Sequence, residues 1–154
     1  MKEKKPLIVS LLISLGTGAL SALLTHRAMK LYDMTLQPPL SPPDWVFPVV
    51  WTILFALMGV AAWRIWRTDA PEREEALVLY GVQLAFNLVW SLIFFNARRF
   101  GFALIWLAAL WGLILATVRR FYRLDRTAGR LMVPYLVWVT FAAYLNAGVW
   151  WLNR

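Results

Sequence analysis

Gln83, Asn87 and Ser91 recur at i, i+4 and i+8 and so share one face of a helix, with Trp90 beside them. Trp138, Ala142, Leu145 and Asn146 share a second face that begins near Pro134, and Trp51 and Phe55 lie one turn apart on a third. The chemistry these residues offer is that of neutral amides, a hydroxyl and indoles: hydrogen bonding, stacking and, for tryptophan, oxidation. Burying an amide without a partner costs about 2–7 kcal/mol. Gln83, Asn87 and Asn146 must therefore meet protein, water or a ligand. Bonding to one another across a bundle and contact with a ligand are both open for any single residue. Aromatics combined with a few amides form the lining expected for a flat, largely apolar molecule with a few polar groups.

Other chemistries are poorly provided for. Five apolar stretches, Pro6–Thr25, Phe47–Trp63, Ala76–Ala97, Gly101–Val118 and Leu131–Leu152, contain no aspartate or glutamate, and all eight acids fall outside them. Ion-coupled transport and proton pumping need ionisable groups at membrane depth, and here Arg64 at a helix end is the nearest approach. Ser91 has no base in register for nucleophilic catalysis. The one histidine, His26, closes the first stretch and reads as an interfacial residue rather than a haem ligand. No metal site is expected. Cysteine is absent, which removes disulfides, thiolate nucleophiles and cysteine metal ligands.

The elements that must position these residues follow from composition. Of 154 residues 61% are hydrophobic and 16% charged, against roughly 25% charged in soluble domains. Each apolar stretch reaches or approaches the roughly 20 residues that cross a hydrocarbon core as a helix. The expected fold is an all-α membrane protein, a five-transmembrane-helix bundle in one domain spanning 1–154, with helices over about 6–25, 47–66, 76–97, 101–121 and 131–152. The basic start of the chain resembles a signal peptide, but the apolar run exceeds a typical h-region and no clean A-x-A site follows, so it reads as a retained helix.

Basic residues are unevenly shared between the two ends of such a bundle. Eleven, at positions 2, 4, 5, 64, 67, 73, 119, 120, 123, 126 and 130, flank one side, and five, at 27, 30, 98, 99 and 154, flank the other. The positive-inside rule then puts the N-terminus in the cytoplasm and the C-terminus outside. Anionic lipid headgroups are the partners expected for these charges, rather than nucleic acid. Thr68–Glu75 and Arg119–Arg130 read as polar turns, with Asp69-Ala70-Pro71 capping a helix start. The 26–46 link is long enough to fold over the bundle as a lid, and its proline pairs, Pro38-Pro39 and Pro42-Pro43, stiffen it. Small residues at Ser14, Gly18 and Ala22, and at Ala108, Gly112 and Ala116, mark close helix approach, within the chain or in a homodimer. Among the ten tryptophans, Trp63, Trp66, Trp150 and Trp151 suit an interfacial belt. Trp106 and Trp111 suit lipid contact or packing. Trp51, Trp90 and Trp138 lie deeper and are the functional candidates.

These residues resemble the TspO/MBR family of tryptophan-rich sensory proteins and translocator proteins, also called peripheral benzodiazepine receptors. The likeness runs along the whole chain. Gln37-Pro38-Pro39, Pro42-Pro43, Trp45-Val46-Phe47-Pro48, Val50-Trp51 and Met58-Gly59 look like its first-loop and second-helix signature. Gln83-Leu84, Asn87, Trp90-Ser91 and Phe94-Phe95 resemble its third helix, and Pro134-Tyr135, Trp138, Phe141-Ala142 and Leu145-Asn146 its fifth. Gln37, Leu40 and Phe55 depart from the family's usual lysine, tryptophan and tyrosine. Tyr144 has no basic residue in the five positions after it, so the family's cholesterol-recognition pattern is incomplete.

The resemblance implies a homodimeric five-helix bundle, most simply in a bacterial cell membrane, with a ligand pocket capped by loop one. It implies binding of tetrapyrroles such as protoporphyrin IX and haem-related porphyrins, and of benzodiazepine-type drugs, with no cofactor required and the porphyrin as ligand or substrate. Light-dependent porphyrin degradation is the leading activity it suggests. The pocket would use Tyr32 and Pro42 from loop one, Trp51 and Phe55, Asn87, Trp90 and Ser91, and Trp138, Ala142 and Asn146. Trp51 and Trp138 would take the redox role. A carrier of porphyrins or sterols and a stress sensor or interaction protein are the competing readings.

Overall fold

A computed structural model describes residues 4–154 of the protein. It is an antiparallel bundle of five long helices with one short helix in the first loop: α1 Lys4–Thr25, α2 Ala28–Asp33, α3 Val46–Trp66, α4 Arg73–Ser91, α5 Phe100–Leu124 and α6 Arg126–Leu152. There is no strand among the described residues. All five long helices are long and apolar enough to cross a membrane. Their outward faces carry large exposed apolar side chains such as Leu12, Leu23, Ile105 and Val137. In water such a surface would be costly, whereas in hydrocarbon it is the solvent-matched one.

The boundaries differ from the expected ones for local physical reasons. α5 continues to Leu124 and α6 starts at Arg126, so the anticipated polar turn over Arg119–Arg130 shrinks to the single extended residue Asp125. Asp125 makes this possible by capping α6, accepting from the Ala128 backbone N–H at 3.1 Å. It also accepts from Arg64 Nε at 3.1 Å, which ties α3 to the α5–α6 corner. Burial works to raise the Asp125 pKa, but the Ala128 and Thr127 N–H groups and Arg64 outweigh it, and the carboxyl lies below its usual range. The Asp69 cap is not formed: α4 begins at Arg73 with Glu72 at the N-cap position and no side-chain cap. Here the Arg73 side chain closes the α3–α4 corner instead, donating to the Trp66 and Thr68 carbonyls at 3.0 and 3.2 Å.

The third span does not run to its end as an α-helix. Leu92–Asn96 forms a π turn, and Arg98, with φ 54°, ends the helix in the left-handed region. α5 and α6 form the most extensive pairing, followed by α1 with α3. α1 buries little, with Ser14 and Thr25 as its fully sheltered positions. Close approach of α1 and α3 depends on Gly59, where an added Cβ would lie 2.6 Å from the Ser14 hydroxyl oxygen and 3.1 Å from the Leu11 Cα. The Ser10 hydroxyl donates to the Gly59 carbonyl at 2.6 Å across the same contact. The stripe Ala108–Gly112–Ala116 does not serve packing in this way, since nothing lies near a Cβ at Gly112.

Candidate functional site

The 26–46 link is ordered as a cover rather than a strand of loose chain. α2 buries Tyr32, whose ring meets Phe47, Phe94 and Phe95 at centroid distances of 6.3, 5.7 and 5.3 Å. The proline-braced part is fastened to the end of α6. Asn153 Nδ2 donates to the Leu36 carbonyl at 2.7 Å, and Asn153 Oδ1 accepts from the Leu36 N–H at 3.2 Å. The Tyr144 hydroxyl donates to the Pro39 carbonyl at 2.6 Å. Pro38 packs on Gly148, where any Cβ would collide with its ring. Arg98 adds a bond to the Thr35 hydroxyl at 2.7 Å. Tyr144 is thus a latch residue of the cover.

Beneath this cover lies a cavity of about 330 Å³. Nine of the ten residues singled out from the sequence border it: Tyr32, Trp51, Phe55, Asn87, Trp90, Ser91, Trp138, Ala142 and Asn146. Pro42 does not. The stiff segment that contains it reaches the cavity through Asp44, Phe47 and Pro48 instead. Phe47 completes a stripe with Trp51 and Phe55 at i, i+4 and i+8, a spacing legible in the sequence but extended there only to the latter two. Phe94 and Phe95 both border the cavity where the π turn widens the helix. The α1 side of the wall was not foreseen: Gly18 and Ala22, with His26 just past the helix end, line it. Gly18 also makes the close helix contact its spacing pointed to, since an added Cβ would lie 2.6 Å from the Phe55 ring.

The polar groups sort into two kinds. Asn87 Nδ2 donates to the Tyr135 hydroxyl at 2.7 Å, and that hydroxyl donates to Gln83 Oε1 at 2.7 Å. Trp90 Nε1 donates to Asn146 Oδ1 at 3.1 Å, and Asn146 Nδ2 to the Phe100 carbonyl at 2.8 Å. For these bonds the amides meet protein, and they tie α4 to α6 and α6 to α5. Gln83 is fully buried away from the cavity. Trp138 Nε1, in contrast, is buried and has no hydrogen-bond partner. Buried polar groups are nearly always paired in folded proteins, and this N–H, on a residue that lines the cavity, is not.

The aromatic rings are close enough to communicate. Trp51 lies 6.4 Å from Trp138, edge to face, and 6.2 Å from Tyr135. Phe55 lies 5.6 Å from Trp51 and supports it from below. On the loop side, burial pushes the Tyr32 phenol up to about 12, with Asp44 and Asp33 adding to the shift. Asp44 is itself raised, first by a hydrogen bond with Asp33, then by burial and by the Asp33 charge. The mouth of the cavity therefore carries weak acid character, while its interior is neutral. Among the described residues no cluster of His, Cys, Asp or Glu could hold a metal ion.

A membrane-embedded five-helix bundle with a capped, tryptophan-walled cavity defines the class. Residues 9–152 match the model of the TspO/MBR family, and the chain belongs to that family. It is 39% identical over 144 residues to the tryptophan-rich protein TspO of Chlorobaculum tepidum, covering 92% of this chain and 91% of the relative. It is 42% identical to the tryptophan-rich sensory protein of Cereibacter sphaeroides, over 79% of this chain and 76% of that one. The human translocator protein is 36% identical, over 89% and 83% of the two chains.

Proposed function

We propose that this protein binds a tetrapyrrole, with protoporphyrin IX as the type ligand, in the cavity beneath loop one and promotes its light-dependent breakdown. The observation that carries this reading is the uncommitted Trp138 N–H on a wall of aromatic rings. A porphyrin offers flat apolar surface to Trp51, Trp90 and Phe55, and acceptor atoms to the indole N–H. Flat aromatics packed against rings gain about 0.5–1.5 kcal/mol per pair beyond the area they bury.

In the light, the excited porphyrin and dioxygen supply the oxidising power, and Trp51 and Trp138 supply electrons. With rings 6.4 Å apart, a hole formed on either indole is shared with the other, and Tyr135 is 6.2 Å from Trp51. The chemistry needs no acid, base or metal from the protein. Positive-inside charge would place loop one, and so the mouth of the cavity, on the extracytoplasmic side.

Purified protein with protoporphyrin IX is expected to yield a new absorbing product under illumination and none in the dark. Trp51→Phe combined with Trp138→Phe should slow that product at least tenfold. An unchanged rate would sink the tryptophan mechanism. Intact porphyrin delivered across liposome membranes, with no product formed, would favour the carrier reading instead.

A further inference from the structure

At the opposite end of the bundle from loop one, α1, α3 and α4 leave a groove of about 540 Å³ open to the membrane. Its walls are apolar, from Val9, Leu77 and Leu84, with the Trp66 indole at the rim and Lys5 at the mouth. Gly81 forms part of the floor, and nothing lies near a Cβ built on it. Tyr80 also lines the groove. It is 6% exposed, and its hydroxyl is buried with no hydrogen-bond partner. Ser14 is its nearest polar neighbour, but no hydrogen bond joins the two hydroxyls, and that of Ser14 turns to the Leu11 carbonyl at 3.3 Å. The Tyr80 ring is held against Phe121 at 5.8 Å, so the phenol is fixed in position with its donor unspent.

We infer that this groove binds one anionic phospholipid: acyl chain along the apolar walls, ester carbonyl on the Tyr80 hydroxyl, phosphate at Lys5. Three features select this occupant. The groove opens sideways from helices that cross a membrane, so lipid is the solvent that reaches it. Lys5 has no carboxylate within ion-pair distance among the described residues, and Lys4 stands beside it, so the mouth attracts negative charge. Tyr80 lies seven residues past Arg73 on α4, about 10 Å along the axis. That depth is just below the headgroup layer, where ester carbonyls give way to chains. A purely hydrocarbon occupant would leave the phenol unpaired in apolar surroundings, at a cost an ester oxygen removes.

The test is native mass spectrometry of the detergent-purified full chain, titrated with phosphatidylglycerol and, separately, phosphatidylcholine. Wild type is expected to hold one phosphatidylglycerol through conditions that strip the rest. Gly81→Leu should fill the groove and abolish that species, since its side chain has space to enter. Tyr80→Phe, which keeps the ring, should weaken both lipids about fivefold by removing one hydrogen bond. Lys5→Gln should weaken phosphatidylglycerol about fivefold and leave phosphatidylcholine unchanged. Circular dichroism and thermal unfolding of each variant check that the bundle is intact. Wild-type lipid retention in folded Gly81→Leu and Tyr80→Phe would overturn the proposal. So would a change in the monomer–dimer ratio of Gly81→Leu with the lipid count unaltered, which would assign the groove to a second copy of the chain.

Discussion

The cavity wall and the polar layer next to it are built from adjacent turns of the same two helices, yet their hydrogen bonds are organised oppositely. In the layer, Gln83, Asn87 and Tyr135 close a network with bonds of 2.7 Å. One turn further toward loop one, Trp138 shows an indole N–H that bonds to nothing. A satisfied network in a medium of low polarity fixes the relative position of α4 and α6, because any sliding strands its members. An unpaired donor fixes nothing. Residue type alone therefore does not decide the matter here: the amides, for which protein and ligand partners were both open, bond to protein, and an indole N–H is left unpaired.

The largest effect expected from breaking this contrast lies in the layer. Tyr135→Phe removes the hydroxyl that serves two amides and strands both, which should cost on the order of 2–4 kcal/mol of stability. Denaturant unfolding in micelles measures it, and an unmoved midpoint would show that the network does not hold α4 on α6. Trp138→Phe should behave in the opposite way. Stability should change by less than about 1 kcal/mol, because no bond is lost. Protoporphyrin affinity in the dark should fall about tenfold, as expected for losing one good hydrogen bond and some ring contact. Quenching of the remaining tryptophans during a porphyrin titration reads this directly. Equal affinity would mean that the N–H is not the ligand's anchor.

The smallest effect belongs to the cover. Asn153→Ala removes both bonds to Leu36, leaving the Tyr144 and Arg98 attachments in place. Stability should stay within about 0.5 kcal/mol, as for most surface changes. Porphyrin release in stopped-flow mixing should accelerate severalfold, because the cover opens more often. Unaltered release would show that loop one does not gate the cavity.

Much of this was legible before any coordinates. The five spans follow from apolar length, and nine of ten named wall residues follow from faces read at helical spacing together with family resemblance. The misplacements are local. Asp69 was expected to cap α4, but the corner is closed by the Arg73 side chain reaching back to α3 carbonyls. Pro42 was expected against the ligand, but a rigid segment contacts the cavity where its backbone direction sends it, through Phe47 and Pro48. Neither outcome is encoded in nearest-neighbour preferences. The α1 wall escaped notice because its small residues read only as a packing stripe, and Gly18 does pack closely on Phe55 while also bordering the cavity.

Sequence by itself determined the solvent of this protein, the number of its spans and the neutrality of its interior. These are sums over local composition, and the cost of burying charge or unpaired backbone in hydrocarbon makes them nearly independent of packing. Only the tertiary structure decided which polar groups are spent and which are free. Asn87 and Gln83 find Tyr135 at separations of 48 and 52 positions, and Trp90 finds Asn146 at 56. Trp138 and Tyr80 find no one. Pairing at that range depends on helix rotation and register set by the whole bundle.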